Sequence, residues 1–356
     1  METSAQNVLV LAAQAGDQIA FEALVDTYRR ELLVHCYRML GSFHDAEDLV
    51  QETLLRAWEK RTTLTSPGSY RAWLYRIATN LCLNRLRSLP RRSLPTETHP
   101  MNDSSGPLPE RVREPIWLEP FPDDLLADQQ SDPQTCAERS EQTTLAFLIA
   151  LQRLTPTQRA VLLLCEVLSW KASEVAAWLD LSVPAVNSAL QRARRALHQL
   201  NIASQAEMAL PQPDMKDLLE RYVAVWEQAD IPGFVALLRE DAWFTMPPSP
   251  VWFQGRANIS AMLAAYVFTP GRQRRLWPTR ANGCPAFGLY QQKAGAAWLP
   301  LSGLVVLRVE DGHIANLVAF LDVESIASFD LPSTLPAVSR QSTADHHDVP
   351  VLSSDL

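Results

Sequence analysis

The sequence predicts a multidomain protein in which two all-α units precede an α+β domain, and three observations lead there. Apolar residues recur three and four positions apart over about 7–88 and again over about 141–200, the period of an amphipathic helix. Between those stretches, 89–140 holds Pro90, Pro95, Pro100, Pro107, Pro109, Pro115, Pro120, Pro122 and Pro133 and sustains no period. Beyond Pro211 and Pro213, one more helical pattern gives way to alternating apolar runs with an Asp311-Gly312 hairpin signal. A chain of 356 residues, 47% hydrophobic and 20% charged, has material for about two or three cores. The expected divisions are 1–92 (helical), 93–140 (acidic linker), 141–203 (helical), 211–330 (α+β) and 331–356 (a disordered tail).

Charge separates these segments. The net charge is −8, yet Lys60 to Thr96 contains no acidic residue while carrying Lys60, Arg61, Arg71, Arg76, Arg85, Arg87, Arg91 and Arg92. A second acid-free stretch, Leu181 to Ala206, holds Arg192, Arg194 and Arg195. The acidity is concentrated in the intervening linker, so two basic patches joined by an acidic strap point to a nucleic-acid partner.

In the first helical unit Gly41 and Pro67-Gly68 punctuate the helices. Along 44–58, Ala46, Val50, Thr53 and Ala57 form one stripe, which turns Asp45, Asp48, Gln51 and Glu52 outward as an acidic ridge. From Ser69 to Ser88, Trp73, Leu74, Ile77 and Leu81 are expected inward, leaving Arg76, Asn80, Asn84 and Arg87 on the outer face. Trp73 and Tyr75 are read as core rather than as base-stacking groups. In the second unit Thr155, Pro156 and Gln158 spell a capping box, and Ala160, Val161, Leu164 and Val167 point inward from the helix that follows. A short helix over Ser173–Leu179, a turn at Asp180-Leu181 and a Ser182-capped helix over Val183–Gln199 come next. There Val183, Val186, Leu190, Ala193 and Leu197 make the buried stripe, while Ser188, Gln191, Arg192 and Arg195 face out. Such a face fits a major groove, although a solvated helical face reads the same way.

Taken together, DAEDLVQETLLRAW, SYRAWLYRIATNLCLNRLRS and LTPTQRAVLLLCEVLSWKASEVAAWLDLSVPAVNSALQRARRAL resemble the sigma-70 superfamily, specifically domains two and four of its extracytoplasmic-function (ECF) group. That resemblance implies core RNA polymerase and promoter DNA as partners. Asp45, Asp48, Gln51 and Glu52 would dock on the clamp helices of the polymerase β′ subunit, and the second helical domain would meet the β flap. Arg76, Asn80, Asn84 and Arg87, with the loop Thr65–Tyr70, would open and read the minus-ten element; Ser188, Gln191, Arg192 and Arg195 would read the minus-thirty-five element. Asp180 stands where many relatives have glycine, and aspartate tolerates the left-handed turn.

Within the linker, Trp117, Leu118, Pro120 and Phe121 resemble the Trp-Leu-x-Pro type segment of ECF members with a C-terminal extension. This implies a regulatory linker seated near the active-site channel or against the extension, the alternative being a solvated spacer. The extension, with LLERYVAVWEQAD and DGHIANLVAFLD, resembles the SnoaL-like branch of the NTF2-like fold. Its helices are expected at Met215–Gln228, Ile231–Leu238 and Ala257–Val267, with strands at Ala242–Met246, Gly303–Glu310 and His313–Asp322. Trp226, Trp243, Trp252, Tyr266 and Trp298 would line a conical pocket or fill the core, and a small molecule in that cone is a candidate partner. Asp322 and His313 are general bases in residue type only.

No glycine-rich phosphate loop, nucleophile elbow or HExxH motif appears, so neither catalysis nor a cofactor is expected. Cys36, Cys82, Cys136, Cys165 and Cys284 lie far apart, which suggests buried free thiols rather than disulfides or a metal site. Met1–Ala20 lacks a basic start and a long apolar run, so a cytoplasmic protein with no membrane partner is expected. A free-standing helix-turn-helix repressor and a DNA-binding unit fused to a SnoaL-like enzyme are the competing readings. The acidic ridge separates the first of them, because a repressor has no use for it.

Overall fold

The computed structural model describes residues 2–64, 69–103, 106, 109, 117–126, 144–199, 212–293 and 295–337. The side chains of 2–6, 199, 212 and 213 are outside that description, as are the expected tail, Ile116, Cys136 and most of the Thr65–Tyr70 loop. The described residues form two compact units, one drawn from Met1–Arg92 and Leu125–Gln205, the other from Ser93–Asp124 and Ala206–Leu356. The segment expected to be an independent linker therefore belongs, over Ser93–Asp124, to the C-terminal unit.

The helical unit begins with α1 (Glu2–Gln14), α2 (Gln18–Leu40), α3 (Phe43–Glu59) and α4 (Tyr70–Ser88). The Asp17 carboxylate accepts from the Ile19 and Ala20 amides and starts α2. Gly41, at φ 71°, ends it with a left-handed cap whose amide returns to Tyr37 O. One residue later Ser42 caps α3. The stripe of Ala46, Val50, Thr53 and Ala57 is buried as the period requires. On α4 the buried face is Leu74, Tyr75, Ala78, Thr79, Leu81 and Cys82, while Trp73 and Ile77 are only half-buried. The expected stripe is rotated because His35, deep in α2, reaches Thr79 Oγ1 at 2.9 Å and turns that side of α4 inward. Burial, with Arg38 beside it, pushes the His35 imidazole down to about 3, so it stays neutral.

The same unit continues with α5 (Leu145–Arg153), α6 (Pro156–Leu162), α7 (Ala172–Leu179) and α8 (Val183–Gln199). The Thr155–Gln158 capping box is formed, and Asp180 takes φ 56° and ψ 45° to turn the chain between α7 and α8. One π-helical turn, Leu163–Val167, follows α6 and leaves Val167 half-buried rather than inward. The core is Val161, Leu164, Val175, Ala176, Val186 and Ala189. Three members of the expected α8 stripe fall short of full burial. Val183 is 40% exposed because it opens the helix, before the first turn meets the core, and Leu190 and Leu197 are half-buried. Ala189, small enough for close helix approach, takes the central place.

The C-terminal unit holds α9 (Gln212–Glu227), α10 (Ile231–Ala236), α11 (Arg256–Met262) and strands β1 (Leu238–Thr245), β2 (Trp252–Gln254), β3 (Arg272–Ala281), β4 (Cys284–Lys293), β5 (Trp298–Glu310), β6 (His313–Phe320) and β7 (Thr334–Pro336). The sheet order is β2-β1-β6-β5-β4-β3, antiparallel except between β1 and β6, with β7 added on β5. Asp311-Gly312 makes the β5–β6 turn at φ 50° and 73°. Asn282-Gly283, at 55° and 72°, makes an equivalent β3–β4 turn. Tyr222, Trp226, Phe234, Phe268 and Phe287 stack through the interior with ring centroids 5.3–6.1 Å apart. Of the five aromatics weighed for a pocket, Trp226 is core, Trp243, Trp252 and Tyr266 are half-buried, and Trp298 is exposed. His313 opens β6 and Asp322 lies two residues past its far end, too far apart to act on one substrate atom.

Among the described cysteines none is in a disulfide. Cys36 and Cys82 are buried, whereas Cys165 and Cys284 are half-buried. Among the described residues no helix is long and apolar enough to cross a membrane.

Candidate functional site

Three helix faces and one strap carry the candidate chemistry. On α3, Asp48 and Gln51 are exposed and Glu52 is half-buried, bonded to Arg56 at 2.5 Å. Asp45 departs from the expected ridge. Its carboxylate is mostly covered and bound by Arg85 at 2.9 Å and Arg92 at 2.5 Å. Burial alone would raise its pKa, but the bonds and charges of Arg92 and Arg85 outweigh burial and hold it below the usual value. The pair ties the end of α4 and the chain beyond it to the start of α3. Leu55, which the sequence analysis passed over, is 59% exposed and lies on the face of Asp48, Gln51 and Glu52. Its signal was an apolar residue off the buried stripe. An exposed leucine rimmed by polar groups suits a protein partner better than water.

On α4, Arg76, Asn84 and Arg87 are exposed and Asn80 is half-buried, with Arg87 donating to Asn84 Oδ1 at 3.1 Å. The helix thus presents two guanidinium groups and two amides along one side. Near its start, Thr63, Leu64, Ser69, Trp73 and Arg76 line a cleft of about 400 Å³. On α8, Ser188, Gln191, Arg192 and Arg195 are all exposed, and Arg192 donates to Ser188 Oγ at 2.8 Å. Arg194 turns the other way and is bound to Glu166. The cationic groups left facing outward on α8 are therefore Arg192 and Arg195, at the spacing of one helical turn.

The strap is the segment around Trp117–Phe121 for which a regulatory role is expected. Trp117 is 8% exposed, Leu118 and Phe121 are fully covered and Pro120 is buried, so this is no solvated spacer. A parallel bridge joins Ser93 to Trp117, with Leu118 N donating to Ser93 O at 3.1 Å. Phe121 and Asn282 exchange bonds, amide to side-chain oxygen and amide to carbonyl, each 3.0 Å. Asp123 accepts from Gly283 N at 2.8 Å and pairs with Arg280 at 3.3 Å. Farther back, Asn102 and Trp252 exchange bonds of 3.1 and 3.0 Å, and Trp252 Nε1 donates to His99 O at 2.9 Å. The strap thereby clasps the β3–β4 turn and covers β2. Sequence reasoning missed Asn282-Gly283 as the clasp, although Asn-Gly is itself a hairpin signal.

Residues 24–92 match Sigma-70 region 2, 145–197 match Sigma-70 region 4, and 219–317 match the SnoaL-like domain. The chain is 45% identical over 339 residues to the ECF RNA polymerase sigma factor SigG of Mycobacterium tuberculosis, covering 92% of this chain and 90% of that one. It belongs to the ECF RNA polymerase sigma factors. It is also 32% identical over 230 residues, 63% of either chain, to the ECF sigma factor SigJ of the same species. The crystal structure of SigJ aligns with a TM-score of 0.54 over 86% of this chain and 98% of that chain, at 23% identity, which speaks for the fold. As an ECF sigma factor the protein directs core RNA polymerase to promoter DNA and opens it for initiation, with a SnoaL-like domain following its two sigma regions.

Proposed function

We propose that this sigma factor engages polymerase through the α3 face of Asp48, Gln51, Glu52 and Leu55, docked on the clamp helices of β′, with region 4 meeting the β flap. Asp45 acts one step behind, by fixing α4 against α3 through Arg85 and Arg92. Arg76, Asn80, Asn84 and Arg87 meet the minus-ten element, where the cations hold phosphates and the amides read unpaired bases. Ser188, Gln191, Arg192 and Arg195 meet the minus-thirty-five element in the major groove. The observation that carries this reading is the pairing, within one helical unit, of an outward acidic face on α3 with outward cationic faces on α4 and α8. The protein then works wherever polymerase does, in the cytoplasm.

The C-terminal domain is read as a regulator in cis rather than an enzyme. The bonds from Phe121 and Asp123 to Asn282, Gly283 and Arg280 support this, because they make the linker between the two sigma regions part of the SnoaL-like unit. Whatever shifts that docking changes the length of chain free to join region 2 to region 4. Run-off transcription with purified core polymerase tests the whole reading. The chain should initiate only with core enzyme, and reversal of charge at Asp48 and Glu52 should abolish initiation; transcription that survives the reversal refutes the docking face.

A further inference from the structure

The first turn of α4 is poorly fixed by its own residues. Ser69, just before it, takes φ −97° and ψ 6°, outside the extended conformation of a capping residue, and no acidic side chain stands in the turn. The charge that does stand there is Arg71, a cation at the positive end of the helix dipole. The Tyr70 hydroxyl is buried with no partner among the described residues, its ring 5.8 Å from that of Tyr28. Left to its own sequence, this end of the helix would fray.

What holds the turn comes from α2, 40 positions back. The Glu31 carboxylate accepts from Arg71 Nε at 2.9 Å, from Arg71 Nη2 at 2.8 Å and from the Tyr75 hydroxyl at 3.1 Å, all on one oxygen. The Arg71 guanidinium lies over the Tyr75 ring, 5.2 Å from its centroid, so the three groups form one packed unit. One turn farther along each helix, His35 takes up Thr79. Arg71, Tyr75 and Thr79 thus follow one another at four-residue intervals, and Glu31 and His35 face them at the same interval.

That ladder sets how α4 is turned about its axis. Successive residues stand about 100° apart around a helix. Arg76 and Asn80, each one position beyond a rung, are therefore aimed away from α2, and Trp73 and Arg76 come to the cleft beside Ser69. His35 and Thr79 fix the middle of the helix, whereas Glu31 supplies the charge that fixes its first two turns.

We propose that Glu31 is a positioning residue for promoter opening: acting through Arg71 and Tyr75, it holds the first turns of α4, with Trp73 and Arg76, in the geometry that captures the unpaired strand. The inference rests on the assignment of α4 to the minus-ten element. Capture drives unpairing, so a loosened turn slows opening while leaving the α3 contacts with polymerase and the α8 contacts with paired DNA as they are.

The test compares Glu31→Gln with wild type in the full-length chain, assembled with core polymerase, on two templates. One is a paired promoter found by run-off transcription; the other is the same fragment with a mismatched bubble over the minus-ten element. Permanganate reactivity of unpaired thymines gives the opening rate. Glu31→Gln should bind core polymerase within twofold of wild type and open the paired promoter about tenfold more slowly. At saturating holoenzyme it should initiate from the bubble within twofold of wild type. Arg71→Gln should slow opening to the same extent, and the double variant should be no slower than either, because the two substitutions remove one interaction. Glu31→Asp, which restores the charge, should recover part of the rate. A Glu31→Gln variant that opens the paired promoter at the wild-type rate or faster overturns the proposal, as does one that loses the bubble template equally or whose effect adds to that of Arg71→Gln. If Arg76→Ala and Asn80→Ala also open at the wild-type rate, the assignment of α4 falls with it. Slow opening by those two beside normal opening by Glu31→Gln overturns the positioning role alone.

Discussion

Asp123 links strap docking to pH. Burial pushes its carboxyl up to about 6, a rise that the Gly283 amide and the Arg280 guanidinium only partly offset, with Asp124 adding to it. An undocked strap returns Asp123 to water and a pKa of about 3.9. Because the docked state has the higher pKa it binds the proton more tightly, so the stabilisation is fully present below about 3.9 and is lost as pH rises through about 6. Between pH 7.5 and 5 these values give about 1.4 kcal/mol, or roughly tenfold in the docking equilibrium. Cys284 nearby is held up to about 11 by burial and by Asp123, so it does not titrate in this window. Amide exchange at Phe121 and Asn282, whose N–H groups bond across the clasp, measures the docking directly. After correction for intrinsic exchange, protection of both amides should rise about tenfold from pH 7.5 to 5, and Asp123→Asn should flatten that rise. Protection that is independent of pH in the wild type, or that falls toward acid, refutes the reasoning.

Three further outcomes are expected. Asp48→Arg should weaken association with core polymerase at least tenfold in a pull-down or fluorescence titration, and Leu55→Ala should weaken it less, since both side chains stand clear of the core. Arg192→Ala and Arg195→Ala should each flatten the slope of log affinity against log salt by about one at the upstream element, and an unaltered slope in both would remove α8 from the phosphate contacts. Trp117→Ala, which empties a buried indole site, should release the strap and change promoter activity several fold in the same direction as truncation after about residue 210. Opposite signs for those two changes would separate the strap from the regulatory domain.

What the sequence made legible was local. Val183–Gln199 is a helix over the expected residues, Thr155 and Gln158 form their box, and Asp180 turns left-handed, because each depends on neighbours within a few positions. What it hid depends on partners far along the chain. Asp45 reads as one more carboxylate on a ridge until Arg85 and Arg92, 40 and 47 positions later, claim it. Tyr75 is core as expected, but Thr79 is buried where Trp73 and Ile77 are only half-buried, because His35 packs on that side. The strap was hardest of all: a proline-rich run has no period to read, and its bonds go to residues some 160 positions away.

That separation has a consequence for synthesis. The strap leaves the ribosome early, with Trp117 and Phe121 destined for burial, but the Asn282-Gly283 turn that receives Phe121 and Asp123 is made roughly 160 residues later. At 5–20 residues per second the nascent chain carries those rings uncovered for on the order of ten to thirty seconds, while all of region 4 is translated in between. The C-terminal unit is thus a domain whose first piece must wait for its last, and region 4 folds as an insertion within that wait.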